Sequence, residues 1–83
     1  MKVQLRYFAS VREALGRGSE QRETKAGTLR ELREELVAQG DPYSGALATG
    51  KAVRMALDQV MVDESAPLRE GAEVAFFPPV TGG

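Results

Sequence analysis

The group best suited to chemistry in this 83-residue chain is the α-carboxylate of Gly83, reached through Pro78-Pro79-Val80-Thr81-Gly82. A frayed terminus is ordinarily more polar and is not stiffened by prolines. Here Pro78 and Pro79 fix two φ angles and favour an extended exit from the apolar run Glu73 to Phe77. Val80 to Gly83, fully extended, would reach roughly 13 Å further at about 3.3 Å per residue. Gly82 and Gly83 have no side chains, so a narrow channel can close around their backbone, and the terminal carbonyl has no Cβ to block a nucleophile. A carboxylate is a poor electrophile because attack must expel an oxide. It needs prior activation, most simply by transfer to the α-phosphate of ATP as an acyl-adenylate. The chain has no Gly-x-x-x-x-Gly-Lys-[Ser/Thr] phosphate loop. ATP is therefore expected on another protein, and no cofactor on this one. Two terminal glycines arise by chance in roughly one chain in 200, so the dipeptide needs support from the rest of the sequence.

Composition supplies part of that support. The chain holds one small domain with a single core. Eleven basic and twelve acidic residues leave a formal charge of −1 without a block of one sign, which argues against a nucleic-acid surface. No apolar run approaches the ~18 residues of a membrane span, and the start, Met1 to Arg6, lacks the continuous apolar core of a signal peptide. A soluble, cytoplasmic protein is expected. The chain has no Cys and no His, which excludes thiolate nucleophiles, disulfides, His-based triads and nearly every zinc site. No Asp-x-Asp-x-Asp loop is present for a harder cation, so no metal site is expected. Glu34 and Glu35 are adjacent on a helical stretch, point in different directions and read as solvated surface.

The elements that must position the terminus follow from periodicity. Lys2 to Phe8 alternates as a half-buried strand with Val3, Leu5 and Tyr7 on one face. Ala9 to Leu15 has helical spacing at Val11, Ala14 and Leu15, and Gly16 and Gly18 stop it. Ser19 to Lys25 reads as a second strand paired to the first. Thr28-Leu29-Arg30-Glu31 is a capping box in which Thr28 accepts from the Glu31 amide and Glu31 reaches back. Leu29, Leu32, Leu36 and Val37 form the stripe of the main helix, with Gly40 as its C-cap. Asp41-Pro42 starts a turn or short helix, and Tyr43 to Lys51 reads as irregular or barely helical. Ala52 to Leu57 alternates with Val53, Met55 and Leu57 on one face. Asp58-Gln59 makes a hairpin turn into Val60 to Val62, Arg69 to Ala72 turns again, and Glu73 to Pro78 is the last strand.

One amphipathic helix and four or five amphipathic strands suit an α+β protein, a mixed sheet with the main helix across one face. The first and last strands are the most apolar and are expected central, adjacent and parallel, which is a β-grasp sheet. Residues 1–78 form this domain and 79–83 the arm. Alternation then turns Phe8, Met61, Ala75 and Phe77 away from the helix while Val60, Val62, Val74 and Phe76 face inward. Phe8, Met61 and Phe77 on neighbouring strands would form a contiguous docking patch beside the arm, with Arg6, Arg12 and Arg69 as candidates for its charged rim. The alternatives are scattered exposed hydrophobes, ordinary on any surface, and a Phe8 that leaves its strand for the core.

The end of the chain, Glu-Val-Ala-Phe-Phe-Pro-Pro-Val-Thr-Gly-Gly, is very similar to that of the small, sulfur-carrying subunits of molybdopterin synthase (MoaD), a family of ubiquitin-like sulfur carriers. Leu5-Arg6-Tyr7-Phe8-Ala9-Ser10-Val11-Arg12-Glu13 resembles the family's first strand and helix, and Arg69-Glu70-Gly71 onward its final turn and strand. Gly16 to Thr49 is similar in pattern only, and Asp58-Gln59 departs from an expected Asn followed by an acid or amide. The resemblance implies a ubiquitin-like β-grasp fold. It also implies that a ubiquitin-activating-like enzyme adenylates Gly83 with ATP and that a sulfur donor protein converts it to a thiocarboxylate. The arm would then enter the large catalytic subunit, within a heterotetramer, and give sulfur to precursor Z. Phe8, Met61 and Phe77 map onto the family's contact surface. The first rival is a ubiquitin-like carrier for thiamine or tRNA thiolation or for protein conjugation. The second is a plain β-grasp interaction module with an inert tail.

Overall fold

The computed structural model describes residues 1–48 and 52–79. Strand β1 (Lys2–Tyr7) leads through helix α1 (Ala9–Leu15) to strand β2 (Ser19–Glu23). Helices α2 (Leu29–Val37) and α3 (Tyr43–Leu47) follow, then strands β3 (Arg54–Leu57), β4 (Val60–Met61) and β5 (Glu73–Phe77). The five strands form one sheet in the order β2-β1-β5-β3-β4. The two chain-terminal strands are adjacent and parallel, from Gln4↔Glu73 to Tyr7↔Phe76, as their apolar character predicts. The other pairings are antiparallel: β1 with β2, β5 with β3, and β3 with β4. This is the ubiquitin-like β-grasp arrangement, with one main helix and two short ones.

The helices cover the face that carries Val3, Leu5, Tyr7, Met55, Val74 and Phe76. All six are buried in one cluster with Val11 and Leu15 of α1, Leu29, Leu32 and Leu36 of α2, and Leu47 of α3. The Tyr7 and Phe76 rings stack within it, centroids 5.9 Å apart. Thr28 caps α2 as its spacing predicts, its hydroxyl accepting from the Glu31 amide at 3.2 Å. The return half of the box differs, since the Glu31 carboxylate accepts from the Gly27 amide at 2.7 Å rather than from Thr28. The Glu31 side chain thus ties the helix start to the residue that precedes its cap. The helix closes at Ala38, before Gly40, which takes the left-handed turn that follows (φ 85°). The stretch after it, expected to be irregular or barely helical, contains the five-residue helix α3.

Two polar clusters fasten the helices, and neither is announced by the sequence pattern. Arg33 sits on the buried side of α2. Its Nε donates to the Leu47 carbonyl at 2.7 Å and its Nη2 to the Ala48 carbonyl at 2.8 Å, while Nη1 lies 3.5 Å from Glu64. It satisfies carbonyls that the end of α3 leaves open. Glu35, expected as solvated surface, instead accepts from Arg22 Nε at 2.7 Å and from the Thr24 hydroxyl at 2.9 Å, pinning α2 to β2 and the loop behind it. Glu34 beside it is exposed.

Candidate docking face and reactive terminus

The sheet face opposite the helices is open, and the pairing registers show what lies on it. Arg6, Ala75, Ala56 and Met61 are aligned across β1, β5, β3 and β4. One step toward the C-terminal end of β5, Arg54 pairs with Phe77, and the Phe8 amide donates to the Phe76 carbonyl on the other side at 3.1 Å. The face is therefore a floor of two small residues, Ala56 and Ala75, bordered by Phe8, Phe77 and Met61. Phe8 is 43% exposed and Met61 58%, while Phe77 is half-buried. These are the three residues that alternation assigns to this side, and Phe8 does not return to the core. Both alanines are buried yet stand apart from the main core cluster, so Ala75 is less open than its outward position predicts.

Val60, expected to face inward, is 62% exposed. Its pairing with Leu57 gives it the inward parity, but β4 is the sheet edge and no helix among the described residues packs on it. The exposed apolar surface therefore wraps around this edge.

The charged rim differs from expectation. Arg6 belongs to it, its guanidinium lying 5.7 Å from the centre of the Phe8 ring and 3.9 Å from Glu73. Arg69 is bonded to Asp58 at 3.4 Å, beyond the Glu73 end of the face. Arg12 folds against the backbone of Gly18, at the head of β2. Arg54, which the sequence reading omits, is exposed beside Phe77. The signal was available, because Arg54 alternates with the inward Met55.

The turn joining β3 to β4 is a two-residue loop with both residues at positive φ, Asp58 at 50° and Gln59 at 69°, as in a type I′ hairpin. Asp58 holds it to β5, its carboxylate accepting from the Glu73 amide at 3.0 Å and its own amide donating to the Glu73 carbonyl at 2.8 Å. The Asp58-Gln59 departure therefore leaves the expected hairpin in place.

Strand β5 carries Phe77 and runs without interruption into Pro78 and Pro79, both half-buried. The remaining arm residues, Val80, Thr81, Gly82 and Gly83, lie outside the described residues. A shallow groove of about 170 Å³ lies between α1 and α3 next to Pro78, with Val11, Ala14, Ala46 and Val53 in its walls. Among the described residues its lining contains no carboxylate and Ser10 as its one hydroxyl, so these residues supply no acid–base pair. Among the described residues no group of three or more acidic side chains could hold a metal ion, and no helix is long and apolar enough to cross a membrane.

Comparison with known proteins places this geometry. The model of the ThiS family matches residues 5–83. The chain belongs to the ThiS family. It is 41% identical over 81 residues to the molybdopterin synthase sulfur carrier subunit of Escherichia coli (strain K12), covering 98% of this chain and 99% of that one. It is 39% identical over 77 residues to the protein of the same name from Haemophilus influenzae, covering 93% and 94%. Among solved structures it is similar to a chain in the complex of subunits 1 and 2 of the molybdopterin-converting factor from Helicobacter pylori. That match has 28% identity, a TM-score of 0.67 and full coverage of both chains. The resemblance read from the terminal motif therefore holds over the whole chain, including the middle, which resembled the family in pattern only.

Proposed function

We propose that this ThiS-family chain is the sulfur carrier of a molybdopterin synthase. The observation that carries the proposal is the continuity of β5. One strand carries Phe77 on the open sheet face and continues into Pro78-Pro79, which precede Val80 to Gly83 in the sequence. A partner seated on Phe8, Phe77 and Met61 would thereby receive the arm at a fixed point and direction. A stiffened arm loses less entropy on entering a cleft than a floppy one.

The chemistry proceeds on other proteins. A ubiquitin-activating-like enzyme lets a Gly83 carboxylate oxygen attack the α-phosphate of ATP, and pyrophosphate leaves. Sulfide-level sulfur released by a donor protein then attacks the acyl carbon, the bond to AMP breaks, and the thiocarboxylate remains. In the cytoplasm the charged arm enters the large synthase subunit, where its sulfur passes to precursor Z. Two such deliveries complete the dithiolene, and the chain itself serves as donor rather than catalyst. The relatives' name and the two-subunit complex of the Helicobacter pylori factor support this reading.

A reconstituted assay tests it. The chain is combined with the large subunit and the activating enzyme of its own organism, ATP, a sulfur donor and the precursor. Molybdopterin should form, and removing Gly83 should abolish its formation without lowering the unfolding midpoint. Undiminished product from the truncated chain would exclude the terminus as the sulfur-bearing group.

A further inference from the structure

The open face carries a charge that its apolar character does not explain. Arg54 lies in register with Phe77, so a partner that covers Phe77 comes within reach of its guanidinium. The acidic groups at the opposite end of the face are already compensated within the chain. Asp58 is held by Arg69 at 3.4 Å and by the Glu73 amide, and Glu73 lies 3.9 Å from Arg6. Arg6 is further occupied by the Phe8 ring. Among the described residues, Arg54 has no carboxylate partner.

We infer that Arg54 sets the specificity of this docking face by requiring a carboxylate on the partner, at the edge of an otherwise apolar patch where the arm enters. The inference rests on the docking reading above and deepens it. Enclosing an unpaired guanidinium at an interface costs desolvation energy without return. A facing carboxylate offsets that cost through a two-pronged, charge-assisted pair that a lysine would not reproduce. The same charge steers encounter, and it disfavours surfaces that present a cation there. A second copy of this chain is a poor occupant, because Asp58 and Glu73 are already engaged and a face-to-face pair would leave both Arg54 side chains unmatched. The fitting partner is the large synthase subunit, with an acidic residue on its rim.

The test uses the full chain and the large subunit from the same organism, with affinity measured at low and high salt. Arg54→Gln should weaken binding about tenfold and Arg54→Glu about a hundredfold, the loss shrinking at high salt. Both variants should unfold at the wild-type denaturant concentration, since Arg54 is exposed. Reversing the matching acid on the large subunit to Arg should restore binding of Arg54→Glu. Phe77→Ala separates the two levels. If it weakens binding while Arg54→Glu binds like wild type, the charge requirement is wrong and the docking face stands. If Phe77→Ala binds like wild type, the docking face is wrong and the role of Arg54 falls with it.

Discussion

At the residue scale, the Glu20 carboxylate works hardest inside the fold. Its Oε2 accepts from the phenols of Tyr7 at 2.8 Å and Tyr43 at 2.7 Å, and its Oε1 lies 3.1 Å from Arg17. Burial, then the hydrogen bond to this carboxylate, pushes the Tyr7 phenol far above its ordinary value, and the same causes raise Tyr43. The folded state therefore favours the protonated phenols. Their contribution is complete below pH 10, the ordinary unfolded value, and is lost as pH rises from there toward the folded value. Stability should fall by about 1.4 kcal/mol per pH unit above pH 10 through Tyr7 alone. Tyr7→Phe should flatten that slope in urea titrations, and an equal slope in both proteins would show that Tyr7 is not its source. Replacing Glu20 by Ala should cost about 2 kcal/mol, because it strands a buried phenol. The hairpin offers the reverse change. Gln59 holds φ 69°, so Gln59→Gly should raise the stability by about 0.5–1 kcal/mol in the same titrations, and a loss would mean that the Gln59 side chain stabilises the turn. Neither the Glu20 hub nor the strain at Gln59 shows in the hydrophobic pattern. The hub arises from polar residues that the fold brings together across distant segments, and the turn is a local two-residue loop with no glycine to mark its positive φ.

At the element scale, α1, α2 and the apolar strands were legible because each carries its own period or stop signal, whereas β2 (Ser19–Glu23) holds no apolar residue and was read only as a partner for β1. Gly16 ends α1 at φ 76°, and Thr28 opens α2 through its side chain. Helix α3 was legible only as a turn or short helix after Asp41-Pro42, because five residues, Tyr43–Leu47, are too few to show a period. Its anchor, Arg33, lies outside the apolar stripe that marks α2 in the sequence. Burial of this arginine is sustained by the two carbonyls and Glu64. Arg33→Ala should cost about 3 kcal/mol, since it leaves buried acceptors open. Arg33→Lys should recover little, because an ammonium cannot span both carbonyls in the guanidinium's fork. Denaturant unfolding of both variants checks this, and full rescue by Lys would reduce the role of Arg33 to its charge. The edge strand β4 shows the opposite failure. Alternation gave Val60 the inward side correctly, but parity does not reveal how far the helices extend.

At the scale of the whole molecule, the two faces of one sheet divide the work. The covered face holds the core, and the open face exposes Phe8 and Met61 next to the strand that leads to the arm. Residues that serve the open face should therefore separate binding from folding. Phe77→Ala and Phe8→Ala should each weaken association with the large subunit by about 2 kcal/mol or more while lowering folding stability by roughly half as much or less. Equal losses in both measurements would place these rings in the core economy instead. The outward position of Phe8, Met61 and Phe77 was readable because strand alternation is strict. The rim was misjudged because arginine positions depend on local partners such as Gly18 and Asp58. The central claim is that Gly83 bears the sulfur, and intact mass spectrometry addresses it most directly. The full chain is incubated with its activating enzyme, ATP and a sulfur donor. The expected result is a mass gain equal to replacing one oxygen by sulfur, confined to the fragment that ends in Gly83. An unchanged mass, with an enzyme shown to be competent on a known carrier, would contradict it.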